Sequence, residues 1–345
     1  MATRPRRSTP GLGQILPSAA LVLIHMLGHA LLLAPLVVPL FVLGACTTTT
    51  LVPVDTAYVT EGPRDPNAPR VLAVVAHPDD DVAFAGLMYK NATHLGGLAD
   101  VCVLTNGEGG FKYATLAESI YGLQLTDEDI GRRELPAIRR GEMVNGARVM
   151  NVRRVMFLGQ RDHRYTTDEF EILGEGAEIW DVDGVRQTLA GIMRDGGYDF
   201  VVTFFPSEGT HGHHKSAALL ALQAVESLPA NERPITLGAR FVRDGDPRSE
   251  PQSLPGWPIT EAFAGAPTFD FQRSQGFGHQ DKLNYNIIAN WAIAAHRSQG
   301  TMQLFMGRGS DIENYVLFAH NPASAEAEAS AWFERLAEPQ FEARS

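Results

Sequence analysis

The sequence has 345 residues, of which 44% are hydrophobic and 20% are charged. This is enough apolar material for one large core, and the length permits one or two domains. The formal net charge of -11 argues against non-specific nucleic-acid binding, which depends on a basic surface. The sequence has no repeat with a period of about 20–50 residues, which argues against a solenoid.

The N-terminal segment is predicted to direct the chain to a membrane. Arginines precede an apolar stretch from about Ile15 to Ala45, a pattern typical of a secretion signal and also long enough to span a bilayer. The stretch ends in LGAC at 43–46, which resembles the lipobox of bacterial lipoproteins, in which the cysteine, here Cys46, is lipidated and becomes the new N-terminus. The alternative is an uncleaved signal anchor. Both interpretations place the rest of the chain outside the cytoplasm, tethered to the cell membrane.

Composition divides the chain into three regions. Residues 1–46 form the predicted signal or lipoprotein anchor, and the Thr/Pro-rich residues 47–69 form a predicted tether. Residues 70–340 form a single predicted domain. The one cysteine in that domain, Cys102, lies in an apolar run and is predicted to be a small buried hydrophobic residue.

Short apolar runs alternate with amphipathic segments through most of the domain. Strands are predicted at 71–76, 100–105, 153–158 and 199–205, and helices near 82–95, 133–150, 182–195 and 213–227. Strands that are apolar throughout and separated by helices predict a mostly parallel sheet with helices on both faces, which is a Rossmann-like three-layer α/β sandwich. The first strand is followed by HPDDD instead of G-x-G-x-x-G, so the fold is not expected to bind a dinucleotide.

The pattern becomes less regular after about residue 228. A Pro/Gly-rich stretch at 244–268 predicts an excursion with short strands. Helices near 281–298 and 324–337 are predicted to follow it. The long insertion at 106–131 is predicted to be a loop of the kind that carries specificity.

Polar side chains are concentrated at the ends of the first and fourth predicted strands. The two clusters consist of His77, Asp79, Asp80 and Asp81, and of His211, His213 and His214. Ligands of doubly wound sheets bind at the carboxyl ends of the strands, and the first and fourth strands are commonly neighbours in this topology. We therefore expect both clusters at one crevice. The alternative for Asp81 is that it only caps the next helix.

Two histidines and a carboxylate suit a divalent metal of the zinc or iron type, with positions left open for water. A second carboxylate that does not bind the metal can accept a proton from that water. Because Asp79 and Asp80 are adjacent, their side chains cannot point the same way. One of them is therefore predicted to bind the metal and the other to act as a base.

AHPDDD followed by a distant H-x-x-H that opens a helix resembles the PIG-L/LmbE family of metal-dependent de-N-acetylases. TNGEGG after the second strand, IRRGEMVNGARVMNVRRVMFLGQRD and AIAAHRSQ also resemble segments of this family, and the likeness covers roughly residues 70–227. The resemblance implies a Rossmann-like hydrolase, usually zinc-bound, with Fe²⁺ among the other metals. Such enzymes remove acetyl groups from N-acetylglucosamine-type substrates or cleave related amides.

The resemblance also implies roles for individual residues. The metal ligands would be His77, Asp80 and His214, and Asp79 would be the general base. His211 would stabilise the oxyanion or protonate the leaving amine. The positions that the family uses near the sugar fall on Arg139, Glu108 and Asp162.

The sequence departs from the family pattern at two positions. Asp81 stands where the first motif usually ends in Glu, and His213 stands where the second motif often has Asp. If that aspartate normally orients the preceding histidine, His211 needs another partner. His214 is preferred over His213 as the ligand because it keeps the H-x-x-H spacing.

These features predict a membrane-tethered, extracytoplasmic, zinc-dependent N-deacetylase acting on an N-acetylated sugar or glycoconjugate. One alternative is an amidase of the same fold that acts on another amide, such as a thiol conjugate or an acylated glycan. Another is a carbohydrate-binding module that has kept its metal site and lost turnover. The sequence predicts no oligomeric state.

Overall fold

We describe a computed structural model of the chain over residues 50–61, 64–242, 245, 249–307 and 310–341. The described residues all belong to one compact unit, Thr48–Ser345. The predicted anchor at 1–46, with Cys46, lies outside them. Across the described ranges, no helix is both long enough and apolar enough to cross a bilayer.

The domain contains eleven strands and eight α-helices within the described residues. The strands are β1 (Asp55–Tyr58), β2 (Arg70–Val75), β3 (Leu98–Thr105), β4 (Arg154–Gln160), β5 (Phe200–Phe204), β6 (Ile235–Arg240), β7 (Thr268–Gln272), β8 (Gly276–Gly278), β9 (Leu283–Asn284), β10 (Ile312–Leu317) and β11 (Gln340–Phe341). The α-helices are α1 (Ala85–Tyr89), α2 (Thr115–Tyr121), α3 (Glu128–Val149), α4 (Phe170–Leu173), α5 (Val182–Gly196), α6 (Gly212–Ser227), α7 (Tyr285–Ala295) and α8 (Ala325–Ala337). The 3₁₀ segments are Asp80–Phe84, Glu108–Tyr113, Ala230–Glu232, Pro258–Thr260, His279–Asp281 and Met302–Phe305, and Lys90–His94 is π-helical.

Eight strands form one sheet in the order β1-β4-β3-β2-β5-β6-β10-β7. The five strands from β4 to β6 are parallel, while β1 and β10 run antiparallel to their neighbours. Alternate side chains of β2 enter different cores, with Val71 and Val75 on one face and Leu72 and Val74 on the other. Both faces of the sheet are therefore buried, and the predicted α/β sandwich with a mostly parallel sheet is confirmed.

The neighbouring positions of β2 and β5 place the candidate site. Val71 pairs with Phe200 and Ala73 pairs with Val202, so the first and fourth predicted strands are adjacent, as expected. The chain leaves β2 toward β3 on one side, while β5 lies on the other side. This is a topological switch point, where the loops at the carboxyl ends of the two strands diverge and leave a crevice.

Three segments differ from the sequence-based expectation. The predicted helix at 82–95 is divided into the segments Asp80–Phe84, α1 and Lys90–His94, which have different helical types. The insertion at 106–131, predicted as a loop, contains a 3₁₀ segment, all of α2 and the start of α3. Strands β6, β7 and β10 extend the main sheet, a pairing that the sequence did not predict, while the short strands β8, β9 and β11 form a separate sheet. Pairing between strands so far apart in sequence leaves no periodic pattern that could have revealed it.

Part of the predicted tether also belongs to the sheet. Within residues 47–69, β1 pairs antiparallel with β4, for example Thr56 with Met156. The Thr60 hydroxyl donates to the carbonyl oxygen of Val152 at 2.8 Å. The other boundaries of the three predicted regions stay predictions.

Candidate metal site and active site

The loop after β2 is held in place by its own aspartate. The Asp80 Oδ2 atom accepts the backbone N–H groups of Ala76 at 3.1 Å and of His77 at 2.8 Å. Asp80 begins the 3₁₀ segment, and His77 and Asp80 are both buried. The chain therefore turns tightly at the strand end and directs an imidazole and a carboxylate into the crevice.

The second cluster lies at the start of α6. His211 is the N-cap residue of this helix, and its Nδ1 atom accepts the backbone N–H of His213 at 3.0 Å. His213 and His214 occupy the first turn. Because α6 follows β5, which is the neighbour of β2, the first turn reaches the loop that carries His77.

The side chains of His77, Asp80 and His214 form a three-donor set. The His77 Nδ1 atom lies 3.1 Å from His214 Nε2 and 3.5 Å from Asp80 Oδ2, and His214 Nε2 lies 3.0 Å from Asp80 Oδ1. Zinc ligands at about 2.0–2.1 Å in tetrahedral geometry are separated by roughly 3.3 Å. The three donors therefore fit a divalent metal of the zinc type, and they are the residues predicted as its ligands.

The electrostatics of this set favour a positive charge at its centre. Burial alone would lower the pKa of His77, but the Asp80 carboxylate and the nearby Asp162 outweigh it and raise that pKa to about 9. Burial alone would raise the pKa of Asp80, but His214 and His77 hold it well below its usual range. A cation bound between these donors is therefore stabilised by a carboxylate that stays ionised.

The two adjacent aspartates point to different partners, as predicted. The Asp79 Oδ1 atom accepts a hydrogen bond from Arg139 Nη2 at 2.8 Å. The same guanidinium, which projects from α3 and is 2% exposed, also donates to the carbonyl oxygens of Gly107 and Pro78. Arg139 thus holds the Asp79 carboxylate in place beside the three-donor set. It also bonds to both the loop that follows β2 and the loop that follows β3.

Asp162, on the loop after β4, lies within the histidine cluster. Its Oδ1 atom is 3.3 Å from His213 Nδ1 and 3.9 Å from His77 Nε2, and its Oδ2 atom accepts the Gly109 N–H at 3.0 Å. Burial would raise the pKa of Asp162, but His213 and His77 lower it. Asp162 therefore stays ionised and fills the position next to His213.

Glu108 is a further carboxylate of this site and bonds to the loop that carries Asp162. Its Oε1 atom accepts the backbone N–H of Asp162 at 3.0 Å, and burial raises the pKa of its carboxyl. Arg139, Glu108 and Asp162 all bond to groups of the protein itself. Their predicted contact with a sugar stays a prediction.

His211 is oriented by the backbone. The family often has Asp at the position of His213, but here the His211 ring bonds to a main-chain N–H group. The partner of His211 Nδ1 is a backbone N–H, so the neutral ring carries its proton on Nε2. Burial, followed by the neighbouring His77 and His213, lowers the pKa of His211 to about 3. His211 is therefore a neutral hydrogen-bond donor near pH 7. The exposed Tyr165 packs edge-on against it, with ring centroids 4.8 Å apart.

One buried pair was not foreseen from the sequence. The Nε2 atom of His296 lies 2.9 Å from Asp81 Oδ1, and both residues are buried. Burial would lower the pKa of His296, but Asp81 outweighs it and raises that pKa. The alternative that Asp81 only caps the next helix is therefore wrong, because no side-chain cap hydrogen bond forms at the start of Asp80–Phe84 or of α1. The segment AIAAHRSQ resembles a family segment, but the sequence does not indicate which residue His296 contacts.

The fold and the site together define a Rossmann-like protein with a metal-type donor set at the switch point of its sheet. Residues 72–225 match the family described as PIG-L: GlcNAc-PI de-N-acetylase. This match is a PIG-L family domain hit within the chain, and it confirms the predicted resemblance.

Two curated relatives carry the same description, probable N-acetyl-alpha-D-glucosaminyl L-malate deacetylase 2. The Bacillus cereus protein is 26% identical over 229 residues, which are 66% of this chain and 83% of the relative. The Bacillus subtilis protein is 27% identical over 176 residues, which are 50% of this chain and 68% of the relative. The predicted enzyme class, an N-deacetylase, agrees with these descriptions and with that of the family.

A solved structure was also found to be similar. It is N,N'-diacetylchitobiose deacetylase from Pyrococcus horikoshii, with 28% identity and a TM-score of 0.36. The similarity covers 46% of this chain and spans half the length of that chain.

Proposed function

We propose that the chain is a metal-dependent N-deacetylase that hydrolyses the acetamide of an N-acetylglucosamine-type substrate. The observation that carries the proposal is the donor set of His77, Asp80 and His214, beside which Arg139 holds Asp79. The PIG-L match and the names of both relatives support this substrate class.

Zinc is the proposed metal, because two imidazoles and a carboxylate are a donor set that it prefers, and Fe²⁺ is compatible with the same set. When bound, such an ion lowers the pKa of a water molecule and polarises a carbonyl group. His77, Asp80 and His214 would hold it.

Asp79 is the proposed general base. Its carboxylate takes a proton from the attacking water as the bond between the water oxygen and the acetyl carbon forms. Arg139 keeps this carboxylate in one orientation at 2.8 Å. When the carbon–nitrogen bond breaks, a proton returns to the nitrogen, and acetate and a free amino sugar are released.

His211 is the proposed donor to the oxyanion. Because its pKa is lowered to about 3, the ring is neutral and presents its Nε2–H group as a hydrogen-bond donor. A fixed donor aimed at the developing negative charge stabilises the transition state more than the substrate. His211 is thus assigned to charge stabilisation, and its low pKa disfavours the other predicted role, protonation of the amine.

The proposal is tested by measuring metal content and acetate release from N-acetylglucosamine-containing substrates with the purified chain. Asp79→Asn is expected to lower acetate release by about 10²–10⁴-fold with metal content unchanged. His214→Ala is expected to lose acetate release and to bind less metal than the wild type. The exposed residues Asp195 and His279 offer matched controls, Asp195→Asn and His279→Ala, which are expected to behave as the wild type.

Two outcomes would redirect the proposal. Bound metal without acetate from any N-acetylated sugar would favour an amidase that acts on a different amide. Equal loss of metal and activity in Asp79→Asn would show that Asp79 supports the metal and does not act as a base.

The proposed location is outside the cytoplasm, on a membrane, where an envelope glycoconjugate would be the substrate. Its support is the apolar stretch that ends in LGAC at 43–46. Mass spectrometry of the purified chain is expected to find lipid on Cys46 as the N-terminal residue. Cys46→Ala is expected to abolish lipidation, and an unmodified chain that begins at residue 1 would favour the signal anchor instead.

A further inference from the structure

His77 lies between two donor sets, one on each ring nitrogen. On its Nδ1 side are Asp80 and His214, described above. On its Nε2 side, His213 Nδ1 lies at 3.1 Å and Asp162 Oδ1 at 3.9 Å, and these two atoms are 3.3 Å from each other. Each set therefore consists of one nitrogen of His77, one further histidine and one carboxylate.

The second set has the dimensions of a zinc site. Tetrahedral ligands at about 2.0–2.1 Å from a zinc ion are roughly 3.3 Å apart, and the three separations of 3.1, 3.3 and 3.9 Å scatter about that value. One ring nitrogen of each of His77, His211 and His213 also lies within 4.8 Å of the others.

The ring of His213 is held with Nδ1 directed at this set. It stacks on Trp180 with centroids 5.4 Å apart and is fully buried. In the part of the chain that the structure describes, its Nε2 atom has no hydrogen-bond partner. Within the described residues, this ring makes its hydrogen bond and its ion pair through Nδ1, the atom that faces His77 and Asp162.

We propose that His77 Nε2, His213 Nδ1 and Asp162 Oδ1 form a second divalent-metal site, distinct from the set of His77 Nδ1, Asp80 and His214. The ligand class is a borderline cation such as Zn²⁺ or Co²⁺. This site depends on His213, the residue at which the chain departs from the usual family pattern. The inference rests on the proposed function only in taking the first set as the metal site of the deacetylase.

Filling both sites makes His77 a bridging ligand. The imidazole then binds one ion through each nitrogen, so the second ion displaces the remaining ring proton, which passes to the buffer. Loss of that proton has a free-energy cost. The second ion is therefore expected to bind more weakly than the first, with proton release that accompanies the second step.

The test is a titration of the metal-depleted full chain with Zn²⁺, in which bound metal is measured by equilibrium dialysis and released protons by a pH indicator. The wild type is expected to bind two ions per chain. His213→Asn and His214→Ala are each expected to bind one, and the double variant none. His279→Ala, at an exposed position, is expected to bind two.

Asp162→Asn provides a second variant of nearly the same shape, should His213→Asn fail to fold, and it is expected to reduce the stoichiometry to one. A wild type that saturates at one ion, lost in His214→Ala, would overturn the second site and show that His213 and Asp162 only hold the free nitrogen of His77. Acetate release from the one-ion form would leave the proposed function intact in that case. Two bound ions without acetate release would support the second site and contradict the proposed function.

Discussion

Arg139 acts at the scale of a single residue by holding the proposed base. Its guanidinium reaches Asp79, Pro78 and Gly107 at once from a buried position. A planar group with five donors can satisfy three acceptors in fixed directions, whereas an ammonium group cannot reproduce that geometry. A lysine at position 139 therefore keeps the positive charge and removes the geometry of the guanidinium.

Arg139→Lys is expected to lower the turnover of acetate release by about 10²-fold, because small misplacements of a catalytic group have effects of this size. Metal content is expected to stay that of the wild type, because the hydrogen bonds of Arg139 within the described residues go to Gly107, Pro78 and Asp79 and not to the three proposed ligands. The neighbouring Arg140→Lys is the matched control. Unchanged turnover in Arg139→Lys would show that Asp79 is positioned without the guanidinium.

The environment of His94 makes the free energy of unfolding depend on pH. This dependence does not involve the proposed metal site. The His94 Nδ1 atom lies 2.7 Å from the Tyr285 hydroxyl, and burial, followed by Lys90, lowers the pKa of the ring to about 4. The folded-state pKa is below the ordinary value of 6.5, so the folded chain resists protonation. Neutral His94 therefore contributes fully to the stability of the folded chain above pH 6.5, and this contribution is lost as the pH falls toward 4.

The free energy of unfolding of the wild type is expected to fall between pH 6.5 and pH 4, measured by urea denaturation at each pH. His94→Gln, which has no titrating ring, is expected to show a shallower slope than the wild type over that window. His320 titrates in the same range, so the comparison uses the difference between the two proteins. Equal slopes would mean that His94 does not contribute.

At the scale of elements, strand β10 supports helix α1, which follows the loop that carries His77 and Asp80. Glu313 in β10 accepts the N–H groups of Gly86 at 2.8 Å and Leu87 at 3.1 Å, at the start of α1. It also accepts from Arg273 Nε at 2.7 Å and from the Tyr315 hydroxyl at 2.9 Å. A buried carboxylate at this helix end is stabilised both by its ion pair and by the peptide dipoles.

Glu313→Gln is expected to destabilise the fold by about 3–5 kcal/mol, because it leaves the largely buried Arg273 guanidinium without its charged partner. The exposed Glu261→Gln is the control and is expected to change stability by no more than about 0.5 kcal/mol. Urea denaturation monitored by circular dichroism measures both. A destabilisation as small as that of the control would mean that the ion pair contributes little. The two N–H bonds, which a glutamine oxygen also accepts, would then account for the role of Glu313.

At the scale of the whole molecule, the family match ends at residue 225 but the sheet does not. β6 covers the edge of β5, and β10 and β7 follow it. Trp332 of α8 stacks on Phe200 of β5, with centroids 4.1 Å apart. The C-terminal third of the chain is therefore part of the same core as the site.

A fragment of residues 50–232 is expected not to fold, because it exposes the apolar edge and face of β5. The expected observations are loss of the cooperative thermal transition in circular dichroism and no stoichiometric metal binding. A fragment of residues 50–341, which keeps all described strands, is the control and is expected to unfold cooperatively. A cooperative transition in the shorter fragment would show that the matched region is an independent domain.

The sequence alone determined the elements whose signal is local. The apolar runs of β2 to β5 predicted a parallel sheet, and the histidines and aspartates that end two of those runs predicted a metal site. The adjacency of β2 and β5 followed from a general rule of the fold and is confirmed.

Only the tertiary structure decided which groups meet across long separations. It placed His214 on Asp80 and His213 on Asp162, although His213 and His214 are adjacent in sequence. It paired Asp81 with His296, 215 residues away, and joined β10 to the main sheet. Periodicity records only which face of an element is buried. The partner of a buried polar group depends on strand order and helix register, and these are decided by the packing of the whole chain.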